Sequence, residues 1–399
     1  GAPPAAPGAV EAPGPAAPAG LSGLGGQALR WAEVEYPSRA EVFAAIPPEC
    51  FERDTLRSLA YAVCSTGITL GLGCLAYAFL PMKLAFAPLW LAYAAAAGTA
   101  ATGMWVVAHE CGHGAFSDNA WVQDLVGYVL HSVLLVPYFS WQRSHAIHHS
   151  RTNHMSEGET HVPFVAGGAK AEGNYDILEA VGGGAFTVVN MVAHLVFGWP
   201  AYLFSGATGG PKYGVTNHFW PTAPFSDGLF PTKMWKRKVW ASDVGVLAVL
   251  GGLAAAATKF GAAPVLLLYG LPYLVVNVWL VLYTWLQHTD VDVPHFDSDS
   301  WDWVKGTFMT IDRPYGPVLD FLHHRIGSTH VAHHVSHTIP HYHALKATNA
   351  LKEAFPALYL YDPTPIHEAL WRVSRNCVAV KRHGEQFLFH NARPGEAAE

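Results

Sequence analysis

Between Ser58 and Ala108 the chain carries a single charged residue, Lys83. It separates two apolar stretches, 57–80 and 86–108. A second pair follows at 242–259, uncharged from Val244 to Ala257, and at 263–286. Crossing the hydrocarbon core of a bilayer takes about 20 apolar residues, and helices buried inside soluble proteins are usually shorter. Within each pair the connection is only a few residues long, as in an antiparallel hairpin of spanning helices. Charged residues make up 14% of the chain, against about 25% in a soluble domain. The chain therefore reads as an all-α membrane protein with four transmembrane helices. Buried helices of a large soluble protein are the alternative.

Three histidine clusters abut these stretches. The second stretch runs directly into His109-Glu110-Cys111-Gly112-His113. Next comes His145-Ala146-Ile147-His148-His149, and then His330, His333 and His334 within Thr329-His330-Val331-Ala332-His333-His334. The spacing i, i+4 stacks two imidazoles on one face of a helix, and an i+3 histidine turns aside. Imidazole nitrogen suits zinc, copper, iron and nickel. Eight histidines exceed what one ion takes, so the pattern predicts two metal ions with about four nitrogens each and open positions for a reactant. His288, just past the fourth stretch, is a candidate ninth ligand. His131, His154, His194, His323, His337 and His341 read as supporting or surface histidines. Glu110, Asp118 and Glu157 are candidates to fix imidazole tautomers.

Clusters that share a metal centre must lie on one side of the membrane, so an even number of crossings separates them. The weaker apolar segments 122–139 and 185–204 would break that parity if either crossed alone. They are expected to be interfacial or re-entrant helices, leaving a helical cap around the metals. The short loops 81–85 and 259–262 hold one Lys each, whereas Lys233, Lys236, Arg237 and Lys238 crowd before the third span. The positive-inside rule then places the clusters, and both termini, in the cytosol.

Other chemistry fits less well. His-Glu-Cys-Gly-His matches the HExxH pattern of zinc proteases, with Glu110 as the base, but leaves the other two clusters unexplained. A metal transporter would place ionisable ligands inside the membrane, and the first two spans have none. The net charge of −6 comes with no basic stripe, which argues against nucleic acid. Five cysteines without a CxxC argue against a disulfide framework. Residues 1–30 are Ala/Pro/Gly-rich and expected to be disordered. They lack the basic start and apolar core of a secretory signal, and a plastid transit peptide would hold more Ser and Arg. Residues 31–56 read as an ordered lead-in, 57–385 as one domain, and 386–399 as a flexible tail.

On these residues the chain resembles the membrane-bound fatty acid desaturases, in particular the delta-12 and omega-3 acyl-lipid branch. The histidine clusters match, and so do Ala45-Ile46-Pro47-Pro48-Glu49-Cys50-Phe51, Val136-Pro137-Tyr138-Phe139-Ser140-Trp141, Asn217-His218-Phe219 and Leu286-Gln287-His288-Thr289-Asp290. Trp301-Asp302-Trp303 and Ile339-Pro340-His341-Tyr342-His343-Ala344 extend the match, over roughly residues 40–380. The resemblance implies a di-iron centre held by His109, His113, His145, His148, His149, His330, His333 and His334, with His288 matching a further iron ligand. It also implies dioxygen as co-substrate and electrons from cytochrome b5 and its reductase. No His-Pro-Gly-Gly haem signature occurs in the chain, so the cytochrome is expected to be a separate partner. The substrate would be the acyl chain of a phospholipid or a CoA ester, lying in an apolar tunnel shaped by aromatics such as Trp141, and the location the endoplasmic reticulum membrane. Cys111 should point away from the metals. Glu110 and Tyr361-Asp362-Pro363-Thr364-Pro365 lean towards delta-12 desaturation and Gly114 towards omega-3. The resemblance implies a cis double bond set into an acyl chain, with delta-12 conversion of oleoyl to linoleoyl lipid expected and omega-3 desaturation the alternative. Hydroxylases, epoxygenases and conjugases share the boxes and remain alternatives.

Overall fold

Asp54 sets the start of the first long helix. Its carboxylate accepts the backbone N–H of Arg57 and caps the amides that the first turn leaves unpaired. The helix, α2 (Thr55–Phe79), follows α1 (Arg39–Ala44). These elements belong to a computed structural model that describes residues 34–391. The tail expected over 1–30 lies outside the described residues. On α2 the side chains of Leu56, Val63, Leu70, Leu75, Tyr77 and Phe79 are each more than half exposed. Such an apolar outer surface is stable only against lipid.

The central helix is α3 (Ala87–His113), which is buried without a break from Ala100 to Cys111. Gly114 ends it in the left-handed conformation, with φ of 76°. It packs against α2 on one side and α9 on the other. Small residues allow that approach, as Gly98 illustrates. A Cβ there would meet the Val275 Cβ at 2.5 Å and the Pro272 carbonyl at 2.6 Å.

Next come α4 (Ala120–Val133) and α5 (Tyr138–Ser150), bent by 105° at the break between them. Leu135 has φ of 56° in that break, and Pro137 precedes α5. The apolar segment 122–139 is therefore no straight span, in line with the re-entrant reading. Helix α6 (Ala169–Val181) leads into α7 (Gly183–Ser205). Then come α8 (Lys233–Phe260) and α9 (Ala262–His288), whose first half contains a π-turn at Leu266–Gly270.

Among the described residues five helices, rather than the four expected, are long and apolar enough to cross a membrane; the fifth is α7. Its polar groups are nevertheless held by neighbours. The Asn190 amide donates to the Ser374 carbonyl, and His194 stacks on Trp285 at 4.2 Å.

A cap of short elements follows α9: β1 (His295–Phe296), α10 (Trp303–Phe308), α11 (Pro317–Leu322), α12 (His330–Val335), α13 (His341–Ala354) and α14 (Ile366–Asn376). Its core holds Phe308, Ile311, Val331, Val335, Leu351 and Leu360, and the lead-in adds Val42, Ile46 and Cys50. A charge cluster, fully buried except for the edge of Arg372, ties the cap to α9. Arg313 donates to the Leu286 carbonyl at 2.9 Å and to Asp290 at 3.0 Å, and pairs with Asp362. Arg372 bridges the same two carboxylates at 2.6 and 2.7 Å.

The expected flexible tail from residue 386 needs correction over its first five residues. Gln386–His390 form β3, which turns back on β2 (Ala379–His383) through Gly384 and pairs antiparallel with both β2 and β1. Ala379, Val380 and Phe387 are buried. The partners of this strand lie about ninety residues upstream at His295 and Phe296, which no local pattern announces.

Candidate metal centre

Each cluster lies at a helix end or on a short helix facing the same interior. His109 and His113 occupy the last turn of α3, His145, His148 and His149 the last turns of α5, and His330, His333 and His334 lie on α12. The turn geometry then sorts them. The five nitrogens of His109, His113, His145, His149 and His333 lie within 4.8 Å of one another, and so do those of His148, His288 and His334. His330 joins the second group, its Nε2 3.0 Å from that of His288. The split follows helical spacing. His145 and His149, at i and i+4, face one group and His148 the other. On α12 the i, i+4 pair His330 and His334 faces the second group and His333 the first.

The nitrogens stand at ligand spacing. Nε2 atoms are 3.1 Å apart in His109–His113, 3.2 Å in His145–His149 and 3.2 Å in His148–His288. Two nitrogens at bond lengths of about 2.1 Å and right angles around one ion would be about 3.0 Å apart. The second nitrogens of His109, His149, His288 and His330 are buried without a hydrogen-bond partner, as are Nε2 of His333 and His334. Burial, with neighbouring imidazoles adding to it, holds the pKa values of His330, His333 and His334 well below the usual histidine range. Neutral, converging, unpartnered imidazoles are what a cation needs and what a dry core avoids. The donor set fits two nitrogen-ligated metal ions.

His288 therefore sits among the box histidines. His161, which sequence reasoning did not weigh, lies beside it, with rings 5.1 Å apart and stacked. It stands in a loop with no neighbouring histidine at helical spacing, so no pattern marks it. His337, expected to be peripheral, lies with its ring centroid 4.8 Å from that of His113. The three acids expected to orient imidazoles do not touch the boxes. Glu110 accepts from the backbone N–H of His341 at 2.9 Å and lies 3.2 Å from Nδ1 of the same residue, so it orients the His341 ring rather than a box histidine. Asp118 pairs with Arg53 at 2.6 Å. Glu157 binds Arg151 at 2.8 Å and Lys212 at 2.9 Å. Thr152 takes that part for a box histidine. Its hydroxyl donates to the His148 carbonyl and lies 3.1 Å from His334 Nδ1. This makes the ring nitrogen the donor and leaves Nε2 as the free lone pair. Cys111 is buried against Gly127 on α4, turned away from the metal side as expected.

A cavity of about 200 Å³ runs past both groups. Trp105, Trp141, Trp199 and Leu280 form apolar wall beside His109, His145, His148, His288 and His330. Tyr202 also lines it. Its hydroxyl is 2.7 Å from Ser144 Oγ and donates to Glu159 at 3.2 Å. Burial pushes the carboxyl of Glu159, behind Tyr202, up to about 8. Apolar walls beside paired metal sites suit a methylene chain.

Comparison with known proteins agrees. The family described as fatty acid desaturase matches residues 85–364. A "Delta(12)-fatty-acid desaturase" of Arabidopsis thaliana is 41% identical over 350 residues, covering 86% of this chain and 88% of that protein. An "Omega-6 fatty acid desaturase, endoplasmic reticulum" of Brassica juncea is 40% identical over 363 residues, covering 88% and 91%. An "Oleoyl-12-hydroxylase FAH12" of Ricinus communis is 38% identical over 340 residues, covering 84% and 85%. With histidine clusters, apolar helices and sequence all in agreement, the chain belongs to the fatty acid desaturase family.

Proposed function

We propose that the protein is an acyl-lipid delta-12 desaturase, which converts an oleoyl to a linoleoyl chain at the membrane surface. Two irons would be held by the nine histidines. His109, His113, His145, His149 and His333 would hold one, and His148, His288, His330 and His334 the other. The observation that carries this reading is the pair of nitrogen groups at ligand spacing along one wall of an apolar cavity. The delta-12 assignment rests on the names of the relatives at 41% and 40% identity.

When bound, the irons would supply the activation of dioxygen that breaking an unactivated C–H bond requires. The balance is one dioxygen, two electrons and two protons consumed, two hydrogens removed from adjacent methylenes, and two waters released. The side chains do the rest. Trp105, Trp141 and Trp199 hold the chain against the histidines and exclude water. Thr152 fixes the tautomer of His334. The buried ion-pair cluster around Arg313 fixes the end of α9, and with it His288.

Electrons would come from cytochrome b5 and its reductase. The site and both termini would face the cytosol from the endoplasmic reticulum membrane. The relative named for that compartment and the basic group Lys233, Lys236, Arg237 and Lys238 support this placement. Two crossings, α8 and α9, then separate His148 from His288, and α7 stays on the side of the cap.

Expression in a yeast that makes no polyunsaturates, followed by gas chromatography of its acyl chains, tests the assignment. Linoleate should appear at the expense of oleate. A hydroxylated product without a diene would move the protein to the activity named for the Ricinus relative. Conversion of supplied linoleate, with oleate untouched, would make it an omega-3 enzyme. Purified protein should carry about two irons per chain, as the donor chemistry implies, and zinc alone would overturn the proposal.

A further inference from the structure

A second cavity, of about 330 Å³, opens on a different face of α3, between α2 and α11. It does not touch the box histidines. Arg57, Tyr61, Cys64 and Ile68 line it from one stripe of α2, at the spacing that keeps residues on one helix face. Phe321 and Leu322 of α11 form the facing wall. Phe321 is 60% exposed and nearby Val318 68%, so the rim of this wall is apolar and open. At the back, Ser65 Oγ and His324 Nε2 satisfy each other at 2.9 Å.

Among the described residues, Arg57 is the only cation lining this groove. Its guanidinium lies 4.2 Å from the centre of the Tyr342 ring, where the cap meets α2, and among the described residues no carboxylate forms an ion pair with it. From Arg57 to Ile68 the helix rises about 16 Å at 1.5 Å per residue. That is close to one leaflet of a hydrocarbon core about 30 Å thick. The groove thus has an unpaired cation at the level of the head groups and an apolar floor as long as one acyl chain.

We propose that this groove is a binding site for an intact phospholipid, its phosphate on Arg57 and one acyl chain along Cys64, Ile68 and Phe321. The phosphate supplies the anion that the guanidinium lacks. The chain covers apolar wall that would otherwise face disordered lipid. This lipid is separate from the chain in the cavity beside the histidines.

The groove holds its own reporter. Cys64 lines it, whereas Cys74, also free and exposed, lies further along the same helix and outside it. The full-length protein in detergent is titrated with dioleoyl phosphatidylcholine, and maleimide labelling of the two thiols is followed by peptide mass spectrometry. Labelling of Cys64 should slow about tenfold once the free lipid concentration L stands at about ten times its Kd, because the free site falls as 1/(1 + L/Kd), while Cys74 is unchanged. Dioleoylglycerol, oleate and inorganic phosphate should not protect at the same concentration. Arg57→Gln should abolish protection. Ala60→Trp, which fills the groove from an exposed lining position, should slow Cys64 without lipid and remove the lipid dependence. Equal slowing at both thiols, full protection by dioleoylglycerol or oleate, or full protection in Arg57→Gln would each overturn the proposal.

Discussion

Replacing Arg313 by methionine should unfold the protein well before it touches the chemistry. The guanidinium is 0% exposed, as are the carboxylates of Asp290 and Asp362 that it pairs with. In Arg313→Met both carboxylates would share only Arg372, and the Leu286 carbonyl would lose its donor. Removing one partner of a buried ion pair costs about 3–5 kcal/mol, because the charge left behind has no water to turn to. No discount for solvent applies at this depth. With roughly 2–4 °C per kcal/mol for a large domain, the melting temperature should fall by about 6–20 °C. Melting in detergent, read by the loss of the monodisperse peak in size-exclusion chromatography, measures it. Adding Asp362→Asn to Arg313→Met restores charge balance and should recover part of the loss. A single variant that melts within about 1 °C of the wild type would show that the ion pairs offset only their own desolvation. A double variant no better than the single one would refute the charge argument and leave packing as the cause.

Three further outcomes follow from the same structure. His288→Ala should lower the iron bound per chain by about one, as expected from losing one of four ligands in its group, and unchanged iron content would remove His288 from the ligand set. Gly98→Ala should destabilise by about 1–3 kcal/mol through overpacking against Val275 and Pro272, whereas Gly71→Ala, with nothing within 4 Å of the added carbon, should be neutral or stabilising; equal melting temperatures would deny the close helix contact. Hydrogen bonds from Lys212 and Arg151 lower the Glu157 pKa from 4.5 to about 2; a depressed carboxyl adds stability above its unfolded value and loses it as pH falls through the folded one, so wild type and Glu157→Gln should differ most above pH 4.5 and converge towards pH 2, and a constant difference would exclude the ion pairs as its source.

The structure and the relatives bear out the helical membrane architecture and the family, both already readable from the sequence. The box histidines do converge, and the reason is local. Spacing of three and four residues fixes which face of a helix a side chain takes, whatever surrounds it. The same spacing explains why His148 parts from His145 and His149. His288 was visible through its position after an apolar run and through the resemblance of the residues around it, not through a spacing of its own. His161 was invisible, because a loop residue has no period and its place beside His288 depends on the whole fold.

Long uncharged runs and i, i+4 histidines are properties of the chain itself, and the sequence determined them alone. Only the tertiary structure decided the contacts between distant segments. It gave Glu110, Asp118 and Glu157 to partners other than the boxes and put Thr152 against His334. It also folded Gln386–His390 onto β1. The physical reason is common to all of these. A hydrogen bond or ion pair is short-ranged and indifferent to sequence distance, so its partner is known only once packing has brought the two segments together.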